Sequence, residues 1–103
     1  SKRIKVVPNP YIVHSTAGYN ESEWRKKIRF IHLPERCTIH IFTVSGEKVN
    51  TLEKTDINNG AYEWDLRTLN NQEVAPGLYV YVVENKTSGH SGEKFTGKFA
   101  VVR

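Results

Sequence analysis

Apolar side chains in this chain recur at every second position, in short runs that each end at glycine, proline or asparagine. That alternation suits half-buried strands, because successive side chains of an extended backbone point to opposite faces. Helical spacing is almost absent. Tyr62-Glu63-Trp64-Asp65-Leu66, within a strand expected from Ala61 to Leu66, is the cleanest example, apolar on one face and acidic on the other. Lys94 to Val102 also alternates, with Phe95, Phe99 and Val101 on one side and Thr96 and Lys98 on the other. Cys37 to Val44 reads as a strand with Ile39 and Ile41 on one face and Phe42 and Val44 on the other, and Leu78 to Val83 is apolar on both faces, which predicts a central strand.

The breaks between runs carry turn chemistry. Ser45-Gly46-Glu47 predicts a tight hairpin, because Gly46 supplies the positive φ such a turn needs, and Ala75-Pro76-Gly77 opens the run that follows it in the same way. Pro8-Asn9-Pro10 closes the run from Arg3 to Val7, and two prolines so close exclude a central strand there. Asn58-Asn59-Gly60, Leu69 to Gln72 and Asn85 to Gly92 read as turns, and residues 15 to 25 as a loop with at most one helical turn. About seven strands at short spacing predict an all-β fold, an Ig-like (fibronectin III-like) antiparallel β-sandwich, as a single domain over residues 1–103.

A chain of 103 residues suits one domain and buries roughly two-thirds of its unfolded surface. Trp64, Leu66, Phe99 and Val101 are expected to fill the space between the sheets, each contributing about 1.5–3 kcal/mol. A lone Cys37 leaves the fold to stand on packing, and its strand context marks it as a buried thiol. No apolar run approaches the ~18 residues of a membrane span, and the first residues do not form a signal peptide. Ser1-Lys2-Arg3 begins abruptly inside a strand pattern, so the chain is expected to be a piece of a longer protein, monomeric when isolated.

The formal net charge is +4, with basic residues concentrated at Lys2, Arg3, Lys5 and at Arg25, Lys26, Lys27. Solvated strand ends account for these clusters better than a nucleic-acid surface, since no basic stripe is interleaved with stacking aromatics. No catalytic constellation assembles, so an enzyme, a cofactor and a metal are all unexpected. His14, His32, His40 and His90 have no metal-ligand spacing, although His32 and His40 fall on strands expected to be neighbours. Asp56 to Gly60 resembles the start of a calcium loop but lacks the closing glutamate, and a turn explains the same residues. Asn20-Glu21-Ser22 and Asn85-Lys86-Thr87 match the glycosylation sequon. Tyr11, Tyr19, Trp24, Tyr62 and Trp64 would bind carbohydrate only if their rings shared one outer face.

Taken in order, the motifs resemble a known family. Val6-Val7-Pro8-Asn9-Pro10-Tyr11 opens the chain, and Leu33-Pro34 precedes the run from Thr38 through Gly46 to Val49. Trp64-Asp65-Leu66-Arg67 is followed by Gln72 to Gly77-Leu78-Tyr79, and Gly97-Lys98-Phe99-Ala100-Val101-Val102-Arg103 closes the chain. This order resembles the type A C-terminal sorting domain of type IX secretion system cargo, and still more the related Ig-like domain of the flagellar hook-capping protein. Two departures bear on the choice. Gly97-Lys98-Phe99 stands where sorting tails carry paired lysines, and the Trp64-Asp65-Leu66 and Asn9-Pro10-Tyr11 forms favour the hook-cap branch.

The resemblance implies a non-catalytic module at the C-terminal end of a larger secreted bacterial protein, exported through the periplasm to the cell surface. Its implied partners are the export or surface-attachment machinery and the parent's upstream domains. The alternative it implies is a structural module that joins subunits. The recognised surface is expected at the last strand, around Phe99, Val101 and Arg103, because an edge strand docks a receptor by pairing.

Overall fold

The computed structural model describes residues 3–12, 15–16, 19–20 and 27–102, and among these it holds ten strands and no helix. β1 (Lys5–Val7), β5 (Ile28–Ile31) and β8 (Tyr62–Trp64) form one antiparallel sheet in the order β1-β5-β8. The second sheet takes β2 (Tyr11–Ile12), β6 (Cys37–Thr43), β7 (Lys48–Lys54), β9 (Gly77–Asn85) and β10 (Lys94–Val102) in the order β2-β10-β9-β6-β7. β3 (Ser15–Thr16) and β4 (Tyr19–Asn20) pair with each other. The expected loop from residue 15 therefore begins with paired backbone.

These two sheets pack as a sandwich with Ig-like strand order. The opening segment is shared between them. β1 lies in the first sheet, the chain crosses at Pro8-Asn9-Pro10, where both X-Pro bonds are cis, and β2 joins the second sheet. Proline explains the crossing, because it offers no N–H to a ladder and fixes φ. β9 is central, between β10 and β6, as its apolar run predicted. Gly46 sits at φ 100° in the β6–β7 turn, where Thr43 N–H donates to Glu47 O (2.8 Å) and Gly46 N–H to Thr43 O (2.9 Å). Gly77 is the first residue of β9, opposite Val101.

Two local readings differ from the structure. The strand expected to reach Leu66 ends at Trp64, and Leu66 takes φ 63° while keeping its side chain buried. Trp64 Nε1 donates to Arg67 O (3.1 Å) and Val74 N–H to Leu66 O (2.9 Å), so this corner is held by bonds that alternation cannot reveal. His32 and His40 are not neighbours. His32 follows β5 at φ 60°, whereas His40 lies on β6 in the other sheet, because the chain changes sheets between them.

The core is an aromatic cluster with Phe99 at its hub. Phe99 stacks on Tyr79 (5.4 Å, 15°) within its own sheet and meets Phe30 (6.3 Å, 90°) and Trp64 (6.1 Å, 83°) edge-on from the other. Phe30 also meets Tyr81 edge-on (5.3 Å). Such geometry sets the positive ring edge against the negative face, adding about 0.5–1.5 kcal/mol per pair beyond burial. Tyr79 also donates its hydroxyl to Ala75 O, closing a corner like that of Ig domains.

Candidate functional site

The last strand was expected to lie at an edge, and it does so over part of its length. β10 pairs with β9 over all but its last residue, from Lys94 opposite Glu84 to Val101 opposite Gly77. Its outer edge is treated differently at its two ends. β2 runs parallel to it at Val101 and Val102 only. Just before that, Asn9 takes the place of a strand: Ala100 N–H donates to Asn9 Oδ1 (3.1 Å), and Asn9 Nδ2 donates to Lys98 O (3.2 Å). One side-chain amide thus supplies both the acceptor and the donor that a neighbouring backbone would supply. From Lys94 to Thr96 no described strand lies alongside.

The direction of the free groups follows from strand geometry. N–H and C=O of one residue point to the same edge, and successive residues alternate. Since Lys98 O and Ala100 N–H face Asn9, the same edge carries the N–H and C=O of Thr96 and the N–H of Lys98. The side chains of Lys94, Thr96 and Lys98 are exposed on the outer face of the sheet.

On the inner face the strand changes character midway. Phe99 and Val101 are each 2% exposed, whereas Phe95, of the same parity, is 43% exposed. Between them Gly97 lies against the Tyr81 ring, where an added Cβ would fall 2.3 Å from its atoms. Here glycine is required by close approach rather than by φ. Beside Gly97 and Phe95 opens a cleft of about 790 Å³, walled by Ile4, Leu33 and Tyr81. His32 and Glu93 sit at its rim; His32 Nδ1 donates to Arg3 O (2.8 Å), and Glu93 Oε1 accepts from Asn85 Nδ2 (3.0 Å), with His90 Nδ1 3.6 Å from its other oxygen.

The remaining predicted residues serve the scaffold. Tyr11 and Trp64 are buried, so they form no exposed sugar-stacking platform with Tyr62; Trp24 and the Tyr19 side chain lie outside the described residues. Pro10 directs β2, and Asp65 is exposed beyond β8. Phe99 and Val101, around which the recognised surface was expected, hold their side chains in the core, so recognition there is left to the backbone edge; the exposed side chains of β10 are Lys94, Phe95, Thr96, Lys98 and Val102. Arg103 lies outside the described residues.

Other polar groups are similarly satisfied. Asp56 Oδ1 accepts from Asn58 N–H and Asn59 Oδ1 from Ala61 N–H, both at 3.0 Å, which is turn geometry. Asn85 is buried and bonded to Glu93 and Thr87 N–H, which leaves its amide inaccessible to a glycan. Lys54, 3% exposed, donates to Glu35 O and Asp56 O, both at 2.6 Å. Beside it, burial pushes the Cys37 thiol up against the opposing effect of the Lys54 charge, so the sulfur stays protonated at neutral pH. On the outer face, hydrogen bonds from His40 (3.4 Å) and Lys86 (3.3 Å) hold Glu84 below the usual carboxylate range. Lys48 Nζ donates to His40 Nδ1 (3.1 Å), so it is Nε2 that carries the proton toward Glu84.

Ig-like strand order across two packed sheets defines this as an Ig-like β-sandwich domain, with part of the outer edge of its last strand uncovered among the described residues. No family model matches the chain, and no curated protein matches it. Among solved structures it is similar to part of PorZ, described as an essential bacterial surface component of the type-IX secretion system of the human oral-microbiomic Porphyromonas gingivalis. The TM-score is 0.70 at 22% identity, covering 97% of this chain and 11% of that one. The chain thus spans about a tenth of the length of PorZ, and what the two share is the fold.

Proposed function

We propose that this domain is a non-catalytic sorting or surface-anchoring module of a larger secreted protein, read by type IX export machinery. The observation that carries the reading is the fit of nearly the whole chain onto a small part of a surface component of that system. The ordered motifs from Val6 to Arg103 support it independently. A structural module of the hook-cap kind is the second reading, favoured by Asn9-Pro10-Tyr11 and Trp64-Asp65-Leu66.

Deleting residues 99–103 would test folding rather than addressing, because Phe99 and Val101 are core residues. The sharper experiment fuses residues 1–103 behind a periplasmic reporter in a host with the export machine and in the same host lacking it. Surface-exposed reporter only in the first host is expected. Reporter that stays periplasmic in both hosts, or reaches the surface in both, ends the sorting reading.

A further inference from the structure

We infer that the outer edge of β10 from Lys94 to Lys98 is a docking site for an extended segment of another protein, one that alternates acidic and apolar residues. The site belongs to the fold and is independent of the export reading. Three observations carry it.

The first is the backbone. Thr96 N–H and C=O and Lys98 N–H point outward, and no described strand lies beside them. The edge is already used for pairing next door, by β2 at Val101 and by the Asn9 amide at Lys98 and Ala100. An incoming strand therefore continues an existing line of partners rather than opening a new one. Unpaired edges of this kind recognise extended peptides by strand addition, with main-chain bonds supplying affinity and pockets supplying specificity.

The second is the inner face. Gly97 presents no side chain, and the cleft beside it is walled by Ile4, Leu33, Tyr81 and the half-exposed Phe95. Every second side chain of an added strand would enter this cleft against its apolar wall, with Arg3, His32 and Glu93 also lining it.

The third is charge. The alternate side chains of that strand would stand on the outer face beside Lys98, which has no salt bridge to a described carboxylate, and Lys94, whose charge acts at longer range on Glu84 opposite it, a carboxylate already bonded by His40 and Lys86. Arg3 adds a further positive charge at the cleft, while Glu93 there is already engaged by Asn85 and His90. This pattern selects acidic residues. It also disfavours a second copy of the chain: antiparallel self-pairing centred on Thr96 would set Lys94 of one copy across from Lys98 of the other, and like charges directly opposite are destabilising.

The test uses the whole chain and a fluorescein-labelled peptide, Val-Glu-Val-Glu-Val-Glu-Val, against the same peptide with lysine for glutamate. Saturable binding of the acidic peptide alone is expected, with NMR shifts centred on the Thr96 and Lys98 amides. Thr96→Pro removes the outward N–H without touching the β9 ladder, since it is Phe95 and Gly97 that bond to β9. It should weaken binding by about tenfold or more, as should Lys94→Glu with Lys98→Glu, which leaves the backbone edge intact and should admit the lysine peptide. Equal binding of both peptides, shifts that map elsewhere, or self-association by sedimentation overturns the proposal. Slow amide exchange at Thr96 in the free protein does so too, because the chain would then cover its own edge.

Discussion

The two halves of β10 share one strand and one partner, β9, and do opposite work. From Phe99 onward the inner side chains join both sheets, and the outer edge is closed by Asn9 and β2. From Lys94 to Lys98 the inner face holds an exposed phenylalanine and a glycine, and most of the edge is open. A strand's position in a sheet is therefore too coarse a unit for assigning a role. What decides is how far each stretch is covered, above by the other sheet and alongside by a neighbour.

The largest contrast to break lies between two phenylalanines of equal parity. Phe99→Ala removes the hub of the aromatic cluster and should cost about 3–5 kcal/mol, read as a shift in the urea midpoint. Phe95→Ala, at a residue already 43% in water, should cost under about 1 kcal/mol. Similar losses at both positions would mean that the halves are packed alike. Gly97→Ala sharpens the boundary between them. Its Cβ must displace the Tyr81 ring, itself packed on Phe30, so a loss of about 1–3 kcal/mol is expected, partly recovered when Tyr81→Leu is added. Asn9→Ala is the smallest step. It frees Lys98 O and Ala100 N–H at an exposed edge, and about 1 kcal/mol should go. Faster hydrogen exchange confined to the Ala100 amide would mark the edge as opened by that change.

How much of this was legible can be read residue by residue. The strand pattern over Cys37 to Val44, the alternation over Lys94 to Val102 and the doubly apolar run at Leu78 to Val83 correspond to β6, β10 and β9, because period and turn residues are local properties. Gly46 and Pro8-Asn9-Pro10 likewise mark a turn and a crossing whose backbone demands only these residues meet. The Asn9 cap was not legible, since its partners Lys98 and Ala100 lie about ninety positions away. His32 and His40 looked like neighbours for a related reason: sequence proximity does not reveal that a chain has changed sheets. Phe95 shares the parity of Phe99, and parity alone gives no reason for one to be buried and the other 43% exposed.

By itself the sequence determined an all-β chain, the places where it turns back and the face each strand must hide, because side-chain period and backbone freedom act over a few residues. Only the tertiary structure decided which strands lie side by side, where coverage of β10 stops, and that Gly97 is held by a ring rather than by its own φ. Those outcomes depend on groups that folding brings together from distant positions, and no local pattern records them.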